Sequence, residues 1–192
     1  MTQLPETIGF VGAGNMASAI IGGLLNAGYT PERLCAVDPS EAAQTKLQTL
    51  GVGEVGGQPG PRVQNSALVI LAVKPQYMHA ATEGIKEHLS SKAVVMSVAA
   101  GISVDGLKKQ LTNAALPVVR CMPNTPALVG AGASGLFASP EVTAHQRAGI
   151  QAVMGVVGTT VWLEEEHCID YVTAISGSGP AYFFAFMEAM IA

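Results

Sequence analysis

The sequence predicts an α/β protein: a doubly wound, mostly parallel sheet followed by the start of an all-helical domain. Three observations carry this prediction. A glycine-rich turn, Gly12-Ala-Gly14-Asn-Met-Ala17, follows directly on the first β-prone run and opens the first helical pattern. Strand and helix signals then alternate as far as Leu163. Beyond Glu164 only helical segments are legible, which puts a domain boundary there and divides the chain into 1–163 and 164–192.

The elements follow in order. Thr7–Val11 is a short strand, and Met16–Ala27 repeats Met16, Ile20 and Leu24 at helical spacing, with Gly28 and Pro31 ending it. Leu34–Val37 is a second strand. Ser40–Leu50 is a helix with Ser40 as N-cap and Gly51 as stop. The Gly- and Pro-rich Val52–Arg62 reads as a short strand and loop. Ala67–Val73 is continuously apolar, as a strand buried on both faces requires. Tyr77–Leu89 is helical, with Met78, Ala81, Ile85 and Leu89 on one side. Ala93–Val98 is another buried strand, and Ser103 caps a helix through Gln110. Leu116–Met122, Ala133–Phe137 and Thr159–Leu163 are strands, with a helix at Thr143–Val157 between the last two. Helical segments follow at Ile169–Ser176 and from Pro180 onward. The last carries Phe183, Phe186, Met187, Met190 and Ile191, with Glu188 as its only charge. A helix this apolar needs partners on nearly all sides, so the sequence reads as a helical domain truncated at Ala192.

Composition excludes several classes. Of 192 residues, 49% are hydrophobic and 12% charged, far from the balance of a disordered chain. A net charge of -4 gives no basic footprint for nucleic acid. No apolar run approaches a membrane span, and the N-terminus has no signal-peptide pattern. Cys35, Cys121 and Cys168 are odd in number and far apart, which suits reduced thiols in a cytoplasmic protein. The four histidines show no metal-ligand spacing and read as surface residues, so no metal is expected.

The chemistry concentrates at predicted strand ends. In the first turn, Gly12 permits the tight bend, Gly14 lets a pyrophosphate approach the backbone, and Ala17 keeps the helix close to the strand. Ala13, Asn15 and Met16 complete the turn, and free amides of the first helical turn face the phosphates. Asp38 ends the second strand, where an acid accepts hydrogen bonds from ribose hydroxyls, as in NAD binders, and repels a 2′-phosphate. Ser40 pulls the other way, because it opens a helix whose amides could receive a phosphate. The cofactor expectation is therefore NADP or NAD, leaning to tolerance of NAD. Ala72-Val-Lys74-Pro75 and Ala99-Ala100-Gly101 close two central strands, and Asn124 sits in a proline-stiffened loop after another. Ser176-Gly177-Ser178-Gly179-Pro180 reads as a loop with open amides ahead of the last helix, able to bind a carboxylate. Glu164-Glu-Glu166 on its own reads as a solvated acidic face.

Taken in order, Gly12–Ala17, Ala72–Pro75, Ala99–Gly101, Arg120-Cys-Met-Pro-Asn-Thr-Pro-Ala127 and Ala174-Ile-Ser-Gly-Ser-Gly-Pro-Ala-Tyr182 resemble the pyrroline-5-carboxylate reductases. The resemblance implies a Rossmann domain followed by a helical domain that forms at least a homodimer. It implies hydride transfer from NAD(P)H to the C=N carbon of 1-pyrroline-5-carboxylate, giving L-proline. It places the first three segments and Asn124 at the cofactor, and Glu166 with Ser176–Pro180 near the substrate. A protonated imine needs little acid–base help, so no catalytic residue is assigned. Two other readings compete. A 3-hydroxy-acid dehydrogenase needs a lysine in its second domain, and none follows Glu164. A non-enzymatic dinucleotide sensor leaves Ser176–Tyr182 without a purpose.

Overall fold

The computed structural model describes residues 4–87 and 89–191. The readings made for residues 1–3, for His88 and for Ala192 lie outside the described residues.

A single eight-stranded sheet has the order β3-β2-β1-β4-β5-β6-β7-β8. The central strands β1 (Ile8–Val11), β2 (Leu34–Val37), β4 (Leu68–Leu71) and β5 (Val94–Ser97) are buried at every position. That is why they read as unbroken apolar runs rather than alternating ones. Shorter β3 (Glu54–Gly56) adds at one edge. On the other side come β6 (Val118–Met122), β7 (Gly132–Ala138) and β8 (Gly158–Trp162). Strand β7 runs antiparallel to β6 and all other neighbours are parallel, so the sheet is mostly parallel as expected.

Helices cover both faces. One core joins Ile8 and Phe10 to Ile20, Ile21 and Leu24 of α1 (Asn15–Asn26), Leu47 of α2 (Glu41–Leu50) and Ile150, Val153 and Met154 of α6 (Ala144–Gly155). The other joins Val11, Val69 and Leu71 to Val63 of α3 (Pro61–Gln64), Met78 of α4 (Met78–Glu83) and Leu107 of α5 (Val104–Gln110). The predicted caps are in place: Ser40 accepts from the Ala43 N–H, Ser103 from the Gly106 N–H, and Gly51 ends α2 at φ 91°. At α6, Thr143 and Gln146 form a reciprocal capping box.

Three segments depart from the sequence reading. Helix α4 stops at Glu83 instead of reaching Leu89, because Gly84 weakens the helix and the Ile85 N–H turns back to the Thr82 carbonyl. Ile85 is still fully buried, which explains the periodicity that suggested a longer helix. Pro61–Gln64 forms a turn of helix where a loop was expected, with Pro61 at its first position. Ser176–Pro180 is not a loop. After α7 (Cys168–Val172) the chain continues through π-helical turns at Thr173–Ser178 straight into α8 (Gly179–Ile191). The widened turn accommodates the Pro180 ring, which in a regular helix clashes with the carbonyl four residues back. Gly177 faces the sheet here: a Cβ on it would stand 2.7 Å from Met122 Cε. A Cβ on Gly179 would meet only the Ala174 carbonyl of its own helical stretch, at 3.4 Å, and the expected loop of open amides is replaced by helical backbone.

Candidate active site

Strand order reverses between β1 and β4, and outside their carboxyl ends lies a crevice of about 540 Å3. Open α/β sheets bind ligands at this switch point. Gly12, Ala13, Gly14, Asp38, Ala72, Val73 and Lys74 line it, so three separately predicted segments converge on one wall. Asn15, Met16 and Ala17 lie just beyond, in the first turns of α1; Ala17 is fully buried against the sheet. Ser40 and Pro75 flank the crevice without lining it.

The two glycines differ in kind. Gly12 has φ +98°, and a Cβ there would stand 2.7 Å from the Ala72 carbonyl oxygen, so the fold itself requires glycine. Gly14 has ordinary extended angles, and its nearest neighbour to an added Cβ would be the Ala72 oxygen at 3.9 Å. The space in front of Gly14 is open to the crevice. Gly14 also begins α1, a helix with no side-chain cap and no acidic residue in its first turn. Uncapped amides and an unopposed helix dipole facing an open glycine suit the phosphates of a dinucleotide.

Asp38 is held rigidly. Its Oδ2 accepts from the Ala13 N–H at 2.8 Å and its Oδ1 from the Ser40 N–H at 2.9 Å. Its backbone carbonyl accepts from the Gln44 side-chain amide at 2.8 Å. The carboxylate thus ties the end of β2 to the glycine turn of β1. The stretch beyond β3 supplies Gly57 and Pro59 to the crevice, and Tyr77 adds an exposed ring.

The remaining predicted residues lie further along the carboxyl edge. Ala99, Ala100 and Gly101 leave β5 and lead into α5. Asn124 uses its side-chain carbonyl to accept from the Ala133 N–H at 2.9 Å, closing the loop between β6 and β7. Glu166 is half-buried, unlike its exposed neighbours Glu164 and Glu165. Its Oε1 accepts from Arg120 Nη1 at 2.9 Å and from the Val104 N–H at 2.8 Å. Arg120 is 6% exposed and reaches Asp170 at 3.9 Å on its other side. One ion pair therefore joins β6, the start of α5 and the approach to α7. Sequence reading gave Arg120 no role; a lone arginine at the end of an apolar strand was the available signal. Ser176–Pro180 follow on the same helical stretch, where Ser176 Oγ donates to the Val172 carbonyl at 3.1 Å.

A second cavity of about 560 Å3 opens at the amino ends of the strands, between Pro5, Lys92 and His145, and has no glycine turn. Among the described residues no cluster of His, Cys, Asp or Glu could hold a metal, and no helix is long and apolar enough to cross a membrane. Burial raises the Cys35 thiol, and it pushes Cys121 up to about 12.

A doubly wound sheet with this glycine turn at its switch point defines the class: a Rossmann-fold, dinucleotide-dependent oxidoreductase. The model for NADP oxidoreductase, coenzyme F420-dependent, matches residues 7–101, and that for pyrroline-5-carboxylate reductase dimerisation matches residues 166–192. A pyrroline-5-carboxylate reductase of Pseudomonas aeruginosa is 43% identical over 183 residues, covering 95% of this chain and 67% of the relative. The chain belongs to the pyrroline-5-carboxylate reductase family. The solved Coxiella burnetii pyrroline-5-carboxylate reductase superposes with TM-score 0.87 at 39% identity, covering 97% of this chain and 69% of that one. A Plasmodium falciparum pyrroline carboxylate reductase, solved with NADP bound, gives TM-score 0.81 at 27% identity over 100% of this chain and 69% of that one.

Proposed function

We propose that this protein reduces 1-pyrroline-5-carboxylate to L-proline with NAD(P)H. Membership of the reductase family, with a crevice fitted to a dinucleotide, is the observation that carries this reading. The bound cofactor supplies a hydride to the ring carbon of the C=N bond, and the ring nitrogen, protonated in the imine, remains as the amine of proline. Gly12–Ala17 and Ala72–Pro75 seat the pyrophosphate and adenosine half. Ala99–Gly101 and Asn124 border the nicotinamide half. Glu166 and Ser176–Pro180 stand on the substrate side. Because Glu166 Oε1 already bonds Arg120 and the Val104 N–H, its work there is to set the edge of the site. Positioning, not proton transfer by a side chain, is the protein's main contribution.

The boundary at 163/164 fits the last strand at Trp162 and the dimerisation match from residue 166. A homodimer built through the helical part fits the exposed Tyr182, Phe183, Phe186 and Met190 on α8. A cytoplasmic setting fits the free cysteines. Initial rates with the cyclic imine and each nicotinamide cofactor test the activity. Imine-dependent oxidation of the cofactor is expected; oxidation of 3-hydroxy acids without imine reduction would replace this reading with the competing dehydrogenase.

A further inference from the structure

We infer that Arg120 is a positioning residue for hydride transfer: through Glu166 it fixes the nicotinamide border of the crevice against the helical segment on the substrate side. The inference rests on the reductase reading above and deepens it. Arg120 is the one charged residue that is buried among the described residues. Its neighbours along β6, Val118, Val119 and Cys121, are apolar and buried. A strand built for stability alone is served as well by an apolar side chain at this position, because a buried ion pair repays little more than its desolvation. What the pair supplies here is a fixed geometry.

That geometry spans the site. In the sheet register Arg120 stands beside Ser97, the last residue of β5. Ser97 Oγ accepts from the Ala99 N–H at 3.2 Å, which sets the exit of the chain from β5. At the start of α5, the Val104 N–H donates to Glu166 Oε1 at 2.8 Å. Ala99–Ser103, which on the reductase reading borders the nicotinamide half, is thus tied at both ends.

Glu166 lies past the last strand, on the approach to α7. The same Oε1 accepts from Arg120 Nη1 at 2.9 Å. The other arm of the guanidinium, Nη2, lies 3.9 Å from Asp170 in α7. Arg120 therefore grips the helical part with a planar fork, and Glu166 passes that grip to the start of α5. A lysine has a single ammonium and no such fork. The pyrophosphate wall lies elsewhere, on β1 and β2, and β1 is three strands, roughly 14 Å, from β6. A misplacement of about 1 Å between reacting groups costs about a hundredfold in rate. Loosening the pair therefore lowers turnover and spares cofactor binding.

The experiment is steady-state kinetics with 1-pyrroline-5-carboxylate beside calorimetric titration of NADH and NADPH. It is run on the unaltered protein and on Glu166→Ala, Glu166→Gln, Arg120→Met and Arg120→Lys. Turnover is expressed per cofactor site counted by the titration, so that a loss of folded molecules alone leaves it unmoved. Glu166→Ala and Arg120→Met should lower kcat per site roughly 10- to 100-fold and change cofactor Kd less than about threefold. Glu166→Gln keeps an acceptor for both donors and should recover part of the turnover. Arg120→Lys keeps the charge without the fork and should recover less. Should Arg120→Met not fold, the Glu166 variants carry the test, since Glu166 is half-buried and outside the sheet. Unchanged kcat per site in Glu166→Ala would overturn the inference, as would a loss of cofactor affinity as large as the loss of turnover. An unaltered protein that binds cofactor without reducing the imine would remove the reductase reading and the inference with it, whereas full turnover in every variant would remove the inference alone.

Discussion

Replacing Gly12 and Gly14 one at a time separates what the fold needs from what a ligand needs. Gly12→Ala puts a Cβ 2.7 Å from the Ala72 oxygen at φ +98°, a backbone region hostile to L-residues. The conformation costs about 1–2 kcal/mol and the crowding about 1–3 kcal/mol, so a loss of roughly 2–5 kcal/mol is expected. For a chain of this size each kcal/mol lowers Tm by about 2–4 °C, giving a drop of roughly 4–20 °C. Gly14→Ala meets only the Ala72 oxygen at 3.9 Å with ordinary backbone angles. Its smaller N-cap preference and its reduced unfolded-state freedom, each about 0.5–1 kcal/mol, nearly cancel. Gly14→Val keeps the fold but fills the approach of the phosphates, so it should abolish nucleotide binding. Thermal unfolding and calorimetric titration of the three variants decide the matter. A Gly12→Ala protein of unchanged Tm, or a folded Gly14→Val protein that binds nucleotide as before, would refute the reasoning.

Other expectations follow from individual side chains. Glu166→Ala strips buried Arg120 of its nearest carboxylate and should cost about 1–3 kcal/mol in urea unfolding, with Glu166→Gln recovering part through its retained acceptor; a loss within error would show the pair to be idle. Thiol alkylation of the native protein should reach Cys168, which is partly exposed, and spare Cys35 and Cys121, whose burial raises their thiols; modification of Cys121 without unfolding would contradict its placement. Glu141 is held down to about 2 from 4.5, first by its hydrogen bond to Lys108 and then by Ser139. A depressed carboxylate stabilises the native state above its unfolded pKa and ceases to do so as pH falls, here between 4.5 and about 2. Because the pair is partly solvated, Glu141→Gln should remove only about 0.2–1 kcal/mol at neutral pH and flatten that part of the acid limb. An unchanged acid-unfolding curve would contradict this.

How much was legible follows from how far apart the interacting residues lie. Strand β2 and helix α5 were read to within a residue, because buried runs and the caps Ser40, Gly51 and Ser103 are local signals. The glycine turn was legible for the same reason. The bonds that set the site are long-range: Asp38 to Ala13 spans 25 residues, Arg120 to Glu166 46, and Val104 to Glu166 62. No local pattern announces them. Ser176–Pro180 misled differently. Glycine, serine and proline are loop signals in isolation, but here the helical turns of α7 run on through them into α8, and tertiary context overrides local propensity.

In the proposed reaction hydride reaches the C=N carbon of a cyclic imine carboxylate. The direct test is to supply nicotinamide cofactor carrying deuterium at its transferable position, together with 1-pyrroline-5-carboxylate, and to analyse the product by NMR and mass spectrometry. The expected product is L-proline with one deuterium, at the ring carbon that had formed the C=N bond, in equal amount to the cofactor oxidised. Cofactor oxidation without labelled proline, or no imine-dependent oxidation with a cofactor the protein binds, would contradict it.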